Sequence, residues 1–151
     1  MSEGAAAYEV LMELVRPSAP FVSVVMRTQG LRMAAMDSAL DSLEAQTDGD
    51  FELAVVAHNA EPCALDAVRE LLGRHEGLAG RISLLTVEGG SRSRPLNAGF
   101  SHARGEYVLI FDDDDLLRPN WVAGTRAAAL ENPGRVIYSF VQTQEWDLGE
   151  Q

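Results

Sequence analysis

The sequence predicts an α/β fold in which a mostly parallel sheet lies between two layers of helices. Two observations support this: short apolar runs of strand length alternate with apolar stripes at helical spacing, and several runs are continuously hydrophobic, as in strands buried on both faces. Alternating strands and helices form right-handed crossovers, so the carboxyl ends of the strands are expected to meet at one rim, where ligands of such sheets bind.

The N-terminal part of the chain is predicted to contribute a first helix, two strands and the helix between those strands. Apolar residues at helical spacing predict a helix over residues 5–16, which ends at Pro17. Buried strands are predicted over 21–26 and 51–57. The helix between these strands is predicted from a stripe of Met33, Met36, Leu40 and Leu43.

The rest of the chain is predicted to continue this alternation and to end in a fifth strand. Proline is tolerated in the first turn of a helix, so Pro119 is expected to open the last helix. In chain order, the predicted elements are a helix over 65–72, a strand over 82–87, a helix over 96–103, a strand over 107–111, a helix over 119–131 and a strand over 136–141.

The chain has 151 residues, enough for one well-buried domain. We expect a single domain, in which an N-terminal helix and linker over 1–20 precede a core over 21–141 and a tail over 142–151.

Charge and cysteine content exclude several classes of partner and site. The formal net charge is -11 and all 12 basic residues are arginine, so nucleic acid and anionic membranes are poor partners. Cys63 is the only cysteine, which excludes an internal disulfide and a cysteine-cluster zinc site. No run reaches the roughly 18 apolar residues of a transmembrane segment, and we expect a cytoplasmic chain.

A run of four aspartates follows the fourth predicted strand, in the stretch GEYVLIFDDDDLLRPNW (105–121). Such carboxylates repel one another unless a cation or several donors offset the repulsion. In an extended chain Asp112 and Asp114 project to one side, whereas Asp113 and Asp115 project to the other. One of these pairs could bind Mg²⁺ or Mn²⁺ together with substrate phosphates. The alternative is a solvated acidic turn that caps the next helix.

The stretch GGSRSR (89–94) combines a flexible backbone with two permanently charged guanidiniums. It could approach a diphosphate closely, and Arg94 is the preferred contact. The alternative is an ordinary glycine turn whose arginines pair with neighbouring acids.

Polar residues also follow the first two strands and complete the expected rim. His58 and Asn59 could bond the edge of a nucleobase, as could Thr28 and Gln29, with Arg27 beside them. A histidine in such a place is more often a loop or supporting residue, and no spacing for zinc, a nucleophile elbow, a Walker lysine or a dinucleotide fingerprint accompanies it.

Several stretches together resemble a known family. They are FVSVVMRT (21–28), SLEAQT (42–47), FELAVV (51–56), RPLNAG (94–99) after the glycine pair, and ARGEYV (103–108) running into the aspartates. Their order and spacing over roughly residues 21–125 resemble the N-terminal nucleotide-sugar-binding part of the family 2 glycosyltransferases, which have the GT-A fold.

The resemblance implies transfer of a sugar, of the hexosyltransferase type, from a nucleoside diphosphate sugar to an acceptor hydroxyl with inversion. A UDP-sugar is the favoured donor. In that family the strand-ending D-x-D motif binds the donor ribose and a Mn²⁺ or Mg²⁺ ion. By position, Asp112 would face the ribose and contact the metal, Asp114 would bind the metal, and Asp113 and Asp115 would support them.

Two departures from the family pattern are present. The family usually carries an aspartate pair after the second strand, whereas Ala57, His58 and Asn59 stand there in this chain. The family's catalytic base lies on a later segment, and no acid after the aspartate run sits in a recognisable motif. We therefore expect a donor-binding half without acceptor site or base. Its uncovered edge near 136–141, or its N-terminal helix, could then form a homodimer.

Two other functions are compatible with the same residues. A non-catalytic module would bind nucleotide and metal without turnover. A sugar-1-phosphate nucleotidyltransferase has a similar sheet, but the glycine-rich loop and lysine expected near its first strand are missing.

Overall fold

The computed structural model of the protein describes residues 19–139 and residue 141. The predicted N-terminal helix and the tail after residue 141 lie outside the described residues. In chain order the elements are β1 (Val22–Thr28), α1 (Met33–Glu44), β2 (Phe51–His58), α2 (Pro62–Arg74), a 3₁₀ turn (Glu76–Leu78), β3 (Ile82–Val87), α3 (Ser93–His102), β4 (Tyr107–Asp112) and α4 (Trp121–Glu131).

The four strands form one parallel sheet in the order β3-β2-β1-β4. The chain builds the sheet outward from β1 to β3 and then crosses over to place β4 on the other side of β1. The strand order therefore reverses between β1 and β4, the position at which ligands of open α/β sheets bind. The predicted parallel α/β fold is confirmed.

The main core lies on the face of the sheet that α1, α2 and α4 cover. Alternate strand residues point to this face, because side chains in a strand alternate between its two sides. Its largest fully buried side chains include Met26, Leu53 and Phe111 from the strands and Met36, Leu40 and Leu71 from the helices.

Helix α3 covers the other face and lies against β1, β2 and β3. The contact is close at Gly99, where a Cβ atom would lie less than 3.0 Å from the Val25 side chain. Helix α3 does not reach across β4, so Val108 and Ile110 remain 46% and 52% exposed. Strands β1 and β2 are thus buried on both faces, as predicted, whereas β4 has one open face among the described residues.

A buried carboxylate holds the amino-terminal rim of the sheet. Glu52 Oε1 accepts hydrogen bonds from Ser23 Oγ at 2.6 Å and from the Arg104 backbone N–H at 2.8 Å, and Oε2 pairs with the Arg104 guanidinium. Burial raises the pKa of the Glu52 carboxyl, but the bonds from Ser23 and Arg104 outweigh burial and hold that pKa below its usual value. This network fixes the loop that enters β4.

Arg126 attaches α4 to the turn before β2. Its Nε atom donates to Asp48 at 2.7 Å and Nη2 donates to Asp50 at 2.9 Å, while the guanidinium lies 4.3 Å from the centre of the Phe21 ring. The hydrogen bond from Arg126 lowers the pKa of Asp48. These contacts place the helix that follows the acidic run.

Two sequence predictions about elements are wrong. The predicted strand over 136–141 is absent from the described part of that segment, which includes 136–139 and 141, and Val136, Tyr138 and Val141 are exposed. An apolar run becomes a strand only where a neighbouring strand satisfies its backbone, and none pairs with these described residues. Helix α4 begins at Trp121 rather than Pro119. A separate turn precedes it, closed by a hydrogen bond from the Trp121 N–H to the Arg118 carbonyl.

No helix within the described residues is both long and apolar enough to cross a membrane.

Candidate functional site

The acidic run lies at the point where the strand order reverses. Arg27 of β1 is in register with Asp112 of β4, so the ends of these strands are direct neighbours. The structure therefore brings together two parts of the predicted rim, Arg27 and Thr28 on one side and the aspartates on the other, which are 85 residues apart in sequence.

Asp113 is the buried member of the run, with 3% of its surface exposed. The Thr28 hydroxyl donates a 2.6 Å hydrogen bond to Asp113 Oδ2 and accepts one from the Gly30 backbone N–H at 3.0 Å. Asp113 Oδ1 pairs with the Arg32 guanidinium. Both carboxylate oxygens of Asp113 and the hydroxyl of Thr28 are thus engaged within the chain, and these two residues hold β1 to the acidic run.

Asp112 and Asp114 present exposed carboxylates at the rim. Their side chains are 48% and 45% exposed. Arg27 Nη2 lies 3.5 Å from Asp112 Oδ1, and the Arg32 guanidinium pairs with Asp114. Exposed carboxylate oxygens are the ligands that Mg²⁺ and Mn²⁺ prefer, so the donor set of these two residues fits such an ion.

The run does not continue the strand, because β4 ends at Asp112 and a turn begins at Asp113. The Asp115 backbone N–H donates to the Asp112 carbonyl at 3.1 Å, and Asp115 Oδ2 accepts from the Asp112 N–H at 3.3 Å. The strand alternation used to pair the aspartates therefore stops at Asp112. Asp113 differs from Asp112 and Asp114 because its side chain is buried, and not because it points to the other side of a strand.

The segment after the aspartates is held by the end of α1 and by the residues that directly follow it. Gln46 Nε2 donates to the Arg118 carbonyl at 2.8 Å, and Gln46 Oε1 accepts from the Val122 N–H at 3.1 Å. Ser42 Oγ accepts from the Leu117 N–H at 3.2 Å. Ser42 and Gln46 belong to the SLEAQT stretch, so part of that motif holds the segment that connects the acidic run to α4.

His58 and Asn59 hold the loop after β3. His58 is 7% exposed and its Nε2 atom lies 3.0 Å from the Gly89 carbonyl oxygen. Asn59 Oδ1 accepts from the Gly89 N–H at 2.6 Å, and Asn59 has a φ of 52°, in the left-handed region that asparagine tolerates. Both side chains are therefore bonded to Gly89 at the end of β3.

Arg94 lies on the first turn of α3, next to the glycine pair. Its side chain packs along Gly90, where an added Cβ would lie 2.6 Å from Arg94 Cδ, and Gly90 has a φ of 75°. A glycine is needed there for both reasons. Arg94 is exposed, and among the described residues no carboxylate pairs with it. Gln29 is exposed at the end of β1.

Arg32 is the site residue that the sequence analysis missed. It precedes α1 and pairs with both Asp113 and Asp114. The available signal was its place in the loop after β1, four residues beyond Thr28, together with the need of four carboxylates for counter-charge.

A second group of possible metal ligands lies away from the acidic run. Ligand atoms of Asp37, Asp41 and His75 lie within 4.8 Å of one another, and His75 Nε2 is 3.0 Å from Asp37 Oδ1. His75 follows α2, which runs back from the carboxyl end of β2. The group therefore belongs to the outer helical layer and not to the rim with the aspartates.

Comparison with known proteins identifies the fold and the family. The family model described as Glycosyl transferase family 2 matches residues 25–150. The uncharacterized protein y4gI of Sinorhizobium fredii is 31% identical over 114 residues, which cover 73% of this chain and 12% of that protein.

Two solved structures share the fold of this chain, which is the GT-A fold that the sequence predicted. One is S. aureus TarS 1-349 in complex with UDP-GlcNAc, with a TM-score of 0.62, 21% identity, and coverage of 78% of this chain and 37% of that one. The other is the mannosyltransferase PcManGT from Pyrobaculum calidifontis in complex with GDP-Man and Mn²⁺, with a TM-score of 0.62, 24% identity, and coverage of 85% and 40%. The chain thus spans less than half the length of each of these proteins.

Proposed function

Since this chain belongs to glycosyl transferase family 2, we propose that it binds the nucleoside diphosphate part of a sugar donor at the rim formed by β1, β4 and the glycine pair. The donor would serve metal-dependent, inverting transfer of the sugar to an acceptor hydroxyl. The observation that carries this proposal is the convergence of the exposed carboxylates of Asp112 and Asp114 with Arg27 where the strand order reverses.

Each rim residue has a role in this proposal. Asp114 and Asp112 would hold Mg²⁺ or Mn²⁺, and Asp112 would also face the ribose. A bound divalent ion would offset the negative charge that develops on the leaving diphosphate. Arg94, exposed beside flexible glycine backbone, would contact the diphosphate.

Of the four residues predicted to contact the nucleobase, three are bonded within the chain, so we revise their roles. Gln29 is exposed and free to meet a base, whereas Thr28 is bonded to Asp113. His58 and Asn59 would act through the Gly89 backbone that they hold. A UDP-sugar stays our favoured donor, and the UDP-GlcNAc and GDP-Man complexes of the structural relatives make UDP and GDP the two nucleotides to compare.

Thermal stabilisation by nucleotides tests the proposal directly. We expect UDP or GDP to raise the melting temperature in the presence of MnCl₂ and Asp114→Asn to abolish the metal-dependent part of that rise. Asp66→Asn, which removes an equal charge from the exposed surface of α2, is the matched control. A full metal-dependent response in Asp114→Asn would remove Asp114 from the proposed site.

A non-catalytic binding module is the second candidate. It is favoured by the position of Glu131, the one carboxylate among the described residues after the aspartate run, which is the last residue of α4 and lies a helix length from the rim. Incubation with UDP-GlcNAc and GDP-Man separates the two candidates. Release of sugar supports the transferase, and saturable binding without any release supports the module.

Self-association is a further part of the proposal. Val108 and Ile110 form an exposed apolar strip on β4, and Val136, Tyr138 and Val141 are also exposed. Burial of such surface favours association. Light scattering at micromolar concentration should give the mass of a dimer, and a monomer mass would contradict this part of the proposal.

A further inference from the structure

Arg32 joins two of the four aspartates through a single guanidinium. Its Nη2 atom pairs with Asp113 Oδ1 and its Nη1 atom pairs with Asp114 Oδ2. A guanidinium holds its N–H groups in a rigid planar fork and keeps its charge at all ordinary pH values, so one side chain can hydrogen-bond two carboxylates at once and offset one of their two negative charges. The carboxylate of Asp114 therefore already has a cationic partner.

The backbone before Arg32 fixes where that side chain begins. Gly30 has a φ of 71°, and a Cβ atom on it would lie 3.0 Å from Ala64 Cβ and 3.1 Å from the Ala64 carbonyl oxygen. The Gly30 N–H also donates to Thr28 Oγ1. This tight turn is packed against α2 and bonded to the residue that holds Asp113. Arg32 is thus placed by the same structure that places the acidic run.

The two partners of Arg32 differ in their surroundings. Asp113 is buried and receives a second hydrogen bond from Thr28, whereas the Asp114 side chain is 45% exposed and has only Arg32 as a partner among the described residues. A divalent ion that reaches the rim from solvent would meet Asp114 and not Asp113. Such an ion would have to replace the Arg32–Asp114 pair, while the Arg32–Asp113 pair could persist.

We propose that Arg32 is a built-in counter-cation of the acidic run that competes with a divalent ion for Asp114 and so sets the metal affinity of the site. The inference rests on the proposed function for the role of Asp114 as a metal ligand. Arg27 would compete in the same way for Asp112, but more weakly, because only one of its nitrogens approaches that carboxylate, at 3.5 Å. When no ion is bound, Arg32 keeps the run folded despite its charge.

Titration calorimetry with MnCl₂ alone, at low ionic strength, tests this proposal. We expect Arg32→Gln to bind Mn²⁺ about fivefold more tightly than the wild type, since a partly exposed ion pair no longer has to be broken. Arg69→Gln is the matched control, because it removes the same charge from an exposed pair with Asp66. It should bind Mn²⁺ as the wild type does, which separates local competition from net charge.

Two further variants locate the effect. Arg32→Lys keeps the charge but not the fork, and we expect its Mn²⁺ affinity to lie between those of the wild type and Arg32→Gln. The double variant Arg32→Gln with Asp114→Asn should lose the gain. All variants retain Asp37, Asp41 and His75, so heat from Mn²⁺ binding to that group is the same in each and cancels when the variants are compared.

The outcomes separate this proposal from the proposed function. Equal or weaker Mn²⁺ binding by Arg32→Gln, or a gain that survives loss of Asp114, would overturn the role of Arg32. Binding of UDP or GDP to the wild type would then still support the donor site. Conversely, a gain in Arg32→Gln without nucleotide binding by either protein would support the competition and refute the donor site.

Discussion

The Thr28 hydroxyl donates a 2.6 Å hydrogen bond to the buried carboxylate of Asp113 and joins the end of β1 to the turn after β4. This bond crosses the point where the strand order reverses. It fixes the acidic run to the centre of the sheet, so that the exposed aspartates on either side of Asp113 are displayed from a rigid position.

Replacement of Thr28 by valine should destabilise the protein by about 1–3 kcal/mol. Valine keeps the shape and strand propensity of threonine, but it leaves a buried acceptor of Asp113 without its donor. Urea denaturation followed by circular dichroism measures the loss. Thr86→Val on β3, where the side chain is exposed, is the control and should change the stability by less than about 0.5 kcal/mol. Equal effects at both positions would contradict the importance of the Thr28–Asp113 bond.

Alanine in place of Gly99 should destabilise the protein by about 3 kcal/mol or more. The added methyl group would overlap the Val25 side chain where α3 crosses β1, and an overpacked interface must shift. Gly124→Ala on α4 is the matched control, because among the described residues no atom outside its own helix backbone and chain neighbours lies within 4 Å of the added Cβ. That change should stabilise the protein by about 0.5–1 kcal/mol through helix propensity. A mild effect of Gly99→Ala would show that α3 does not lie this close to the sheet.

The contribution of Glu52 should depend on pH. Its pKa in the folded protein is lowered from the ordinary value of 4.5, so the charged form stabilises the fold above pH 4.5 and that stabilisation is lost as the pH falls through the lower folded value. We expect Glu52→Gln to be less stable than the wild type by about 1–3 kcal/mol at pH 7, with a smaller difference at about pH 3.

Urea denaturation of both proteins across this pH range checks the expectation for Glu52. Glu70→Gln on the exposed surface of α2 is the control and should follow the wild type at every pH. A Glu52→Gln difference that stays constant from pH 7 to pH 3 would show that the charge of Glu52 is not the source of its effect.

Substitutions of Asn59 should separate backbone conformation from hydrogen bonding. Asn59→Gly keeps access to the left-handed φ of 52° but loses the bond to the Gly89 N–H, whereas Asn59→Ala loses the bond and strains the backbone. Thermal or urea denaturation should therefore find Asn59→Ala less stable than Asn59→Gly by about 0.5–1 kcal/mol. The reverse order would argue against a left-handed residue at this position.

The rim shows which parts of a site can be predicted from sequence. The carboxyl ends of parallel strands meet at one edge, so a run such as Asp112–Asp115 after a strand predicts a site without knowledge of any contact. The partners within the rim could not be predicted in the same way. Arg32 and Asp113 are 81 residues apart, and their pairing depends on β4 lying next to β1 instead of next to β3.

The sequence by itself determined the alternation of strands and helices, because apolar periodicity reports locally which residues face a core. The family stretches likewise predicted the GT-A fold from residues alone. The tertiary structure decided which polar groups of those elements are buried: Asp113 rather than Asp112 or Asp114, and His58 and Asn59 bonded to Gly89. It also decided that residues 136–139 form no strand. Burial and backbone pairing depend on which segments become neighbours in space, and a local pattern of residues does not contain that information.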